Sequence, residues 1–526
     1  MRTPSPRGRS TPTWMPSISS PGPRRRSASS TGWSRRSASP SSAPTVPTSG
    51  GRSTPSASRS ARVTVHCSAA CRPVFRPVFR EVIAMDADAA NSILGLTKRL
   101  AEFAVSFRLK DAPPAVLENA RLAMLDCLGV SVLAARQEIG GAIARFAEAN
   151  AAPGRCVVWG TGITTSPRDA ALMNATLAHG LDYDDRNHSS TYSLAAPMAV
   201  AEDRKLSGAR LLEGFIVGRE IRNSLDAMFA RRGSGIGPGA KGWHSNGVLG
   251  PIAAAGAVAR TLDLDVATTL AALGLATASS GALTRDGGTM AKPFRTGHAA
   301  QTGLTCVLLA ISGFSSDDTA LEGRYGYFEA LGPLSDDILA SVGRDLGKTY
   351  NLAKPIRGKR MASCSASHAG IEAMLALLRD NTIKPADVES IDCDLKPYPL
   401  VRQVPARGYE GRFSMPFCLA IALVHGDVRA GYFSDTTVAD PVIQDLIGRT
   451  RHAESKMLVV ALKDGRRLEA PLGHPTDFTT RPEIEAKFRD CVDGILPKAK
   501  ADAVVRHMRG LESLGSVREL AQVLAV

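Results

Sequence analysis

Ionisable side chains occur together in three segments of this sequence that are otherwise built from small and apolar residues. The segments are 177–193, 241–250 and 291–303. Their ionisable residues include Asp182, Asp184, Asp185, Arg186, His188, Tyr192, His244, Lys292, Arg295 and His298. A charged group is costly to bury unless it is paired, because it loses its hydration. Three such clusters therefore predict one cleft assembled from distant parts of the chain, although each residue alone could simply cap a helix or line a turn.

The residue types in these segments favour proton transfer beside an anionic substrate. Carboxylate, imidazole and phenol groups can act as acids or bases, and lysine and arginine can hold a carboxylate. The sequence contains no GxxxxGK[ST] loop, no HExxH pair, no paired CxxC, and no GxGxxG after a predicted strand. These absences argue against nucleotide, dinucleotide and zinc-hydrolase chemistry. We therefore expect neither a metal ion nor a cofactor.

The positive charge of the chain is concentrated at its N-terminus. Residues 1–84 contain 14 Arg and one Glu, so they carry +13 of the formal net charge of +14. Because the rest of the chain is nearly neutral, we expect no nucleic-acid partner. No uninterrupted apolar run reaches the length of about 20 residues that a membrane span needs. The nine scattered cysteines favour reduced thiols and a cytoplasmic location.

Residues 1–84 are composed mainly of Ser, Pro, Arg, Thr, Ala and Gly, and no periodicity in them could bury a core. The composition predicts disorder. Three explanations remain open: an organelle transit peptide, a basic arm for anionic partners, or a start-site error in which translation begins at Met85. The last explanation is favoured, because an ordinary globular sequence begins abruptly at that methionine.

The apolar spacing beyond the tail predicts a mainly α fold with two domains. Residues 88–350 have helical periodicity and form a large all-helical domain. Residues 351–478 mix helices with strands and form a smaller α+β lid domain, with a hairpin turn at Asp464-Gly465. Residues 479–526 form helices that rejoin the helical domain. The predicted helices span 167–180, 208–229, 247–262, 266–280, 297–312, 367–379, 413–425, 481–493, 499–511 and 515–524, and the predicted strands span 388–398, 456–464 and 466–472.

Eight segments, in chain order, resemble the MmgE/PrpD family, which includes 2-methylcitrate dehydratase and cis-aconitate decarboxylase. They read AHGLDYDD (178–185), GARLLEGFIVGREI (208–221), GWHSNGVLGPIAAAGAVARTLDLD (242–265), AKPFRTGHAAQTGLTCVLLAISGF (291–314), LEGRYGYF (321–328), KRMASCSASH (359–368), RFSMPFCLAIAL (412–423) and LGHPTDFTTRPEIEAKF (472–488). The resemblance covers about 90–526. It implies a helical domain with an α+β lid, a homodimer, and an active site between the two domains.

Matching these motifs to the family implies four catalytic residues, which are Asp182, His244, Lys292 and Lys359. Asp182 opens the DYDD turn, His244 and Lys292 lie in the second and third clusters, and Lys359 is the lysine of the lid. Tyr398 lies near a position where some members use a tyrosine, so the resemblance implies that it contacts substrate.

Three positions depart from the family pattern. The usual His-Pro-Ser after the DD turn is replaced by Thr191-Tyr192-Ser193, a threonine by Arg186, and a histidine by Arg295. Loss of the histidine removes a group that titrates near neutrality, and His188 could substitute for it. The two arginines would strengthen carboxylate binding. We therefore expect Arg186, His188, Tyr192 and Arg295 to contact substrate.

The residues and the resemblance together predict a hydro-lyase that acts on a small di- or tricarboxylate. Lys292, Arg295 and Lys359 would bind a carboxylate. His244 or Asp182 would remove the α-proton before water is eliminated. The same enolate could instead be reprotonated by an isomerase or epimerase, or could arise through loss of carbon dioxide in a decarboxylase. A catalytically inactive relative that only binds carboxylates is the remaining alternative.

Overall fold

The computed structural model describes residues 95–226, 242–332, 342–395 and 402–526. The predicted mainly α fold is confirmed, since helices dominate these residues and the sheets are small. The helices are α1 Leu96–Ser106, α2 Pro114–Ala134, α3 Glu138–Asn150, α4 Pro167–His179, α5 Ser189–Asp203, α6 Gly208–Leu225, α7 Ser245–Leu262, α8 Val266–Ala278, α9 Ala291–Ile311, α10 Tyr327–Leu331, α11 His368–Asp380, α12 Gly408–Gly411, α13 Met415–His425, α14 Asp435–Val438, α15 Pro441–Arg449, α16 Arg481–Val492, α17 Lys498–Arg509 and α18 Val517–Leu524. The strands are β1 Cys156–Val157, β2 Thr164–Thr165, β3 Val388–Cys393, β4 Thr450–His452, β5 Met457–Leu462 and β6 Arg467–Pro471.

No helix in the described ranges is long and apolar enough to cross a membrane. The predicted tail, residues 1–84, lies outside the described residues.

Small residues let the central helices of the helical domain approach until their backbones nearly touch. A Cβ atom on Gly303 of α9 would lie 2.8 Å from the backbone oxygen of Pro251 in α7. A Cβ atom on Gly214 of α6 would lie 2.6 Å from the backbone oxygen of Ala257, also in α7. Real Cβ atoms cannot come this close, so only glycine fits at these crossings. The close packing brings the end of α4 and the start of α9, which carry two of the ionisable clusters, to one side of the bundle.

The lid contains a four-stranded sheet in the order β4-β3-β5-β6. Strand β3 pairs with β4 in parallel and with β5 antiparallel, and β5 and β6 form an antiparallel hairpin. The predicted hairpin is confirmed, and Gly465 adopts the left-handed φ of +87° that the tight turn requires. Helices α11 and α15 pack against the sheet, α13 packs against these two helices, and together they complete a second hydrophobic core.

The C-terminal helices pack back on the helical domain, as predicted. The ring of Phe488 in α16 fits against Gly129 of α2, where an added Cβ atom would meet it at 3.0 Å. Lys487 of α16 forms a buried ion pair with Asp126 of α2, with 2.6 Å between Nζ and Oδ1. The apolar side chains of α16, α17 and α18 belong to the same core as α1 and α2. The exact domain boundaries at residues 350 and 478 stay a prediction.

Three element predictions need correction. Helix α9 begins at Ala291 instead of 297, so Lys292 and Arg295 lie inside the helix and His298 is not its cap. Helix α5, Ser189–Asp203, was not predicted, because its first turn is rich in Ser and Thr and Pro197 interrupts its apolar pattern. The strand predicted over 388–398 ends at Cys393, and Tyr398 lies outside the described residues.

Candidate active site

Asp182 is the residue on which the lysines of two distant segments converge. It lies in the turn after α4 with a left-handed φ of +51°. Its carboxylate contacts the ammonium groups of Lys292, in the first turn of α9, and of Lys359, on the lid. Lys359 also donates a hydrogen bond to the Asp182 backbone oxygen at 2.7 Å. The three side chains are buried, and the structure brings together three of the four residues that the family resemblance marks as catalytic.

The lysines determine the ionisation of Asp182. Burial alone would raise the pKa of this carboxyl group, because desolvation penalises the charged form. The ammonium groups of Lys292 and Lys359 outweigh that effect and hold the pKa of Asp182 well below its usual value. Asp182 is therefore ionised at neutral pH and is a weak base. This geometry favours a role for Asp182 in orienting the two ammonium groups.

A second carboxylate, Asp184, holds two imidazole rings. His179 Nδ1 lies 3.1 Å from Asp184 Oδ1, and His188 Nδ1 lies 3.0 Å from the same oxygen. Burial raises the pKa of Asp184, but the opposing effect of the two histidines is larger, so the pKa lies well below its usual value. Asp184 is therefore ionised and can only accept hydrogen bonds. Both rings must then carry hydrogen on Nδ1. The other nitrogen of His188, Nε2, is directed at Asp182, at 3.5 Å from Oδ1.

The two histidines differ in their surroundings. His179 is 1% exposed, and its burial, together with the charges of His188 and Lys292, lowers its pKa to about 3. His179 is therefore neutral, and it donates a hydrogen bond to Asp184. His188 adopts a left-handed φ of +58° at the start of α5, and this turn aims its ring toward Asp182. The sequence pattern H-x₄-D-x₃-H was a signal that could have identified this trio as a unit.

The same trio could in principle hold a metal ion, because the ligand atoms of His179, Asp184 and His188 lie within 4.8 Å of one another. Two observations favour hydrogen bonding instead. The nitrogen-to-oxygen distances of 3.0–3.1 Å are those of ordinary hydrogen bonds. The ammonium groups of Lys292 and Lys359 are close by on Asp182, and their positive charge would oppose a bound cation.

Arg186, expected to bind substrate, forms a two-oxygen contact with Asp477. Its Nε lies 2.7 Å from each carboxylate oxygen of Asp477. The neighbouring Asp185 accepts a hydrogen bond from Arg219 Nη1 at 2.8 Å. The backbone of Asp185 also pairs with Gly358 in an isolated antiparallel bridge. These contacts fix the loop that carries Asp182 against the segment that carries Lys359.

Tyr192 and His244 form a separate group linked through Asn246. The Tyr192 hydroxyl donates to Asn246 Oδ1 at 3.3 Å, and the Asn246 backbone N–H donates to His244 Nδ1 at 3.3 Å. Tyr192 is fully buried, and burial raises its pKa to about 12. His244 caps the N-terminus of α7. Within the described residues, no hydrogen bond or ion pair joins Tyr192 directly to Asp182 or to the two lysines.

The lid contributes an arginine that the sequence reasoning did not single out. Arg412 is 2% exposed, and its guanidinium lies 5.3 Å from the ring centre of Tyr409 and 4.8 Å from that of Phe433. Burial lowers its pKa, and the charge of Asp182 acts on it in the opposite direction. No carboxylate within the described residues forms an ion pair with it. Arg295, expected to bind substrate, is also buried, one turn after Lys292 on α9.

Comparison with known proteins finds two family models that match consecutive parts of the chain. The family model described as the MmgE/PrpD N-terminal domain matches residues 98–336, and the MmgE/PrpD C-terminal domain matches residues 361–509. A cis-aconitate decarboxylase-like protein, oryM, of Aspergillus oryzae is 25% identical over 476 residues, which cover 82% of this chain and 97% of that protein. Two cis-aconitate decarboxylases of Aspergillus terreus are 24% and 26% identical over 488 residues, covering 83% of this chain and 97% of each relative.

Proposed function

The chain belongs to the MmgE/PrpD family, and we propose that it is a lyase acting on a small di- or tricarboxylate. The observation that carries this proposal is the convergence of Lys292 and Lys359 on the buried carboxylate of Asp182. Arg295 and Arg412 add two buried positive charges on neighbouring elements. Positive charge from several elements attracts an anion, so a ligand with several carboxylates suits this arrangement.

In this proposal the lysines bind a substrate carboxylate and Asp182 holds them in place. The two ammonium groups reach Asp182 from different elements, so their contacts with its carboxylate fix the position of both. Negative charge that develops on the substrate next to its bound carboxylate is then stabilised by the two ammonium groups, which are already oriented. This role differs from the base that the sequence led us to consider, because the pKa of Asp182 is too low for efficient proton abstraction.

We assign the proton transfer to His188, with His244 as the second candidate. Asp184 fixes the His188 ring through Nδ1, so Nε2 is left to exchange a proton on the side of Asp182. This is the arrangement by which a carboxylate orients an imidazole base in many enzymes. Tyr192 is unsuited to the task, since its hydroxyl is buried and its pKa lies at about 12.

Two fates of the carbanion remain as candidates. In a decarboxylase the bond to one carboxylate breaks, carbon dioxide leaves, the electron pair passes toward a neighbouring carboxylate, and an acid protonates the carbon. The relatives named cis-aconitate decarboxylase favour this first candidate. In a dehydratase a base removes the α-proton and an acid protonates the leaving hydroxyl group. The presence of two imidazoles, His188 and His244, keeps dehydration as the second candidate.

Incubation of the purified protein with cis-aconitate, citrate, 2-methylcitrate and substituted succinates in deuterated water tests the proposal. Release of carbon dioxide with deuterium on the product carbon supports the decarboxylase, and net loss of water supports the dehydratase. Deuterium uptake without net product would instead indicate an isomerase or epimerase. Saturable binding without any reaction would indicate a catalytically inactive relative and contradict the proposal.

The assignment of His188 is tested with His188→Gln and His244→Gln on the substrate found in that screen. We expect His188→Gln to lower kcat by about a hundredfold or more and His244→Gln to have a smaller effect. The reverse order would assign the proton to His244. Dialysis against EDTA is the matching control for metals. An activity that is lost on dialysis and restored by zinc would reassign the His179–Asp184–His188 trio as a metal site.

A further inference from the structure

A cavity of about 200 Å³ lies beside the candidate active site. Neither Asp182 nor the lysines that contact it line this cavity. Its walls come from the loop after Asp182, from α6, and from the segment that leads to Lys359. Its charged lining residues are Asp185, Arg186, Arg219, Lys354 and Arg357.

Two of the arginines that line this cavity each have a buried nitrogen atom without a hydrogen-bond partner in the described structure. The Arg219 side chain is 8% exposed and uses Nη1 to bind Asp185, while its Nε has no hydrogen-bond partner in the described structure. Arg186 uses Nε to bind Asp477, and its Nη2 is likewise buried without a partner there. A buried donor that lacks an acceptor costs free energy. An oxyanion in the cavity would supply acceptors to both guanidinium groups.

The charges around the cavity are not balanced. Arg186, Arg219, Lys354 and Arg357 are positive, and the carboxylates that contact them are Asp185 and Asp477. A third carboxylate, Glu220, accepts hydrogen bonds from the Asn351 and Leu352 N–H groups beside the cavity, so four positive and three negative charges leave an excess of one positive charge. Lys354 and Arg357 are exposed at the rim, where they can meet an anion from solvent. The volume is below the range of roughly 300–1,000 Å³ that is common for drug-sized ligands, so a smaller ion fits.

We propose that this cavity is a second anion-binding site, which takes a small dianion such as a phosphate or a short polycarboxylate. Arginine suits such oxyanions, because its planar guanidinium donates parallel hydrogen bonds to two oxygen atoms. The anion would lie between Arg186 and Arg219 on the inner side and Lys354 and Arg357 at the rim. The inference does not depend on the proposed lyase reaction, because it concerns binding alone.

An anion in this cavity would be coupled to the proposed catalytic residues through the backbone segments that line it. The Arg186 backbone N–H donates to the Arg357 backbone oxygen at 3.2 Å, and Asp185 pairs with Gly358. Lys359 follows directly and contacts Asp182. An anion that bridges Arg186 and Arg357 would tie these two segments together. It would therefore stabilise the arrangement in which Lys359 meets Asp182.

Calorimetric titration of the full-length protein with inorganic phosphate, and separately with tricarballylate, tests the site. The double variant Lys354→Ala/Arg357→Ala should bind at least about tenfold more weakly than the wild type, since it removes two charge-assisted contacts. The matched control is Lys384→Ala/Lys463→Ala, which removes the same charge from exposed positions elsewhere on the lid and should bind like the wild type. The tighter of the two anions identifies the preferred chemistry.

A Lys292→Ala variant separates the cavity from the active site, and it should retain phosphate binding. If phosphate binds equally weakly to the cavity double variant and to the control double variant, general charge attraction explains the binding and the proposal is overturned. Phosphate binding that is lost in Lys292→Ala and kept in the cavity variant would overturn it too. As an independent readout, phosphate should slow hydrogen exchange at the Arg186 amide at least about tenfold in the wild type. An unchanged exchange rate at saturating phosphate would also contradict the site.

Discussion

At the level of single residues, the site depends on which groups carry a proton at neutral pH. The lysines keep Asp182 ionised, the histidines keep Asp184 ionised, and burial keeps His179 neutral. Tyr192 stays protonated because its pKa is about 12. These constraints fix a hydrogen on Nδ1 of His188, whose Nε2 lies 3.5 Å from Asp182 Oδ1.

Lys292→Ala and Lys359→Ala should each lower kcat/KM by about a hundredfold or more, because each removes a charge that binds the substrate carboxylate in the proposed mechanism. The double variant should lose much less than the product of the two single effects. Both lysines act on the same carboxylate, and groups that act as a unit are not additive. Steady-state kinetics on the four enzymes measures the coupling. Independent, multiplicative losses would contradict the shared role of Asp182, and Lys384→Ala serves as the surface control.

Tyr192→Phe should keep near-normal turnover. The hydroxyl contacts Asn246 inside the helix bundle and has no direct contact with the lysine cluster. The hydroxyl also forms a hydrogen bond with the Arg222 guanidinium, so loss of both bonds should cost about 1–3 kcal/mol in the free energy of unfolding. Kinetics and urea denaturation on the same preparation separate the two effects. A variant that folds normally but is inactive would show that the phenol has taken over the proton transfer of the missing histidine.

Local sequence motifs identified Asp182, Lys292 and Lys359 but not the partners of the other site residues. Arg186 was expected to bind substrate because an arginine replaces a threonine there, yet its partner Asp477 lies 291 positions later in the chain. Such a pairing depends on how the lid packs, and no local pattern encodes it. Arg412 was missed for a similar reason, since one arginine before an apolar helix does not reveal that aromatic rings will bury it.

At the level of elements, α5 links the active-site loop to the small β1–β2 sheet. Its first turn follows His188, and near its end Glu202 accepts hydrogen bonds from the Val157 N–H of β1 at 3.1 and 3.2 Å. Burial raises the pKa of Glu202 to about 8. The folded protein therefore holds this proton between about pH 4.5 and pH 8, where the unfolded chain has released it. The stability that Glu202 contributes falls as the pH rises through that window.

Glu202→Gln removes this titration. We expect the free energy of unfolding of the wild type to fall relative to that of the variant by about 1–4 kcal/mol between pH 5 and pH 9. Urea denaturation of both proteins across this range measures the difference, and titrations common to both cancel. Parallel stability curves would mean that Glu202 is already ionised in the folded state.

Helix α16 holds the loop that carries Asp182 and Asp184 through Lys487. Its ammonium group pairs with Asp126 of α2, donates to the Tyr183 backbone oxygen at 2.6 Å, and lies 4.0 Å from the centre of the Tyr183 ring. Burial raises the pKa of Asp126 to about 6 even with Lys487 beside it. Tyr183 lies between Asp182 and Asp184. Helix α16 is therefore part of the support of the candidate active site.

Lys487→Met should destabilise the protein by about 3–5 kcal/mol, because it leaves Asp126 buried without a partner. The double variant Asp126→Leu/Lys487→Met should recover part of that loss, since neither charge then remains. Chemical denaturation of the three proteins gives the comparison. A single variant as stable as the wild type would show that the pair contributes little and that Asp126 is protonated in the fold.

At the level of the whole molecule, periodicity predicted most long helices and the β5–β6 hairpin, because these elements carry their own apolar spacing and turn residues. It did not predict α5, whose side chains are buried on all sides and whose pattern is therefore uninformative. It also could not predict that residues of α2, α3 and α4 would complete the core of the lid, since that core depends on how distant segments meet.

Removal of residues 1–84 should leave both folding and activity unchanged. The family match begins at residue 98, and the tail composition offers nothing that could join a core. Thermal denaturation, kinetics and light scattering of the truncated protein measure the outcome, and light scattering also tests the predicted homodimer. A large fall in melting temperature, or loss of a dimer that the full chain forms, would contradict this expectation.

The contact between Lys487 and Tyr183 also has a consequence for biosynthesis, because the two residues are 304 positions apart. At translation rates of about 5–20 residues per second, Tyr183 leaves the peptidyl-transferase centre on the order of 15–60 seconds before Lys487 is added. During that interval the carboxylates of the loop and the apolar face of α2 lack the helix that covers them. The nascent chain should therefore recruit chaperones until its last helices emerge, and a ribosome stalled before α16 should carry a protein without activity.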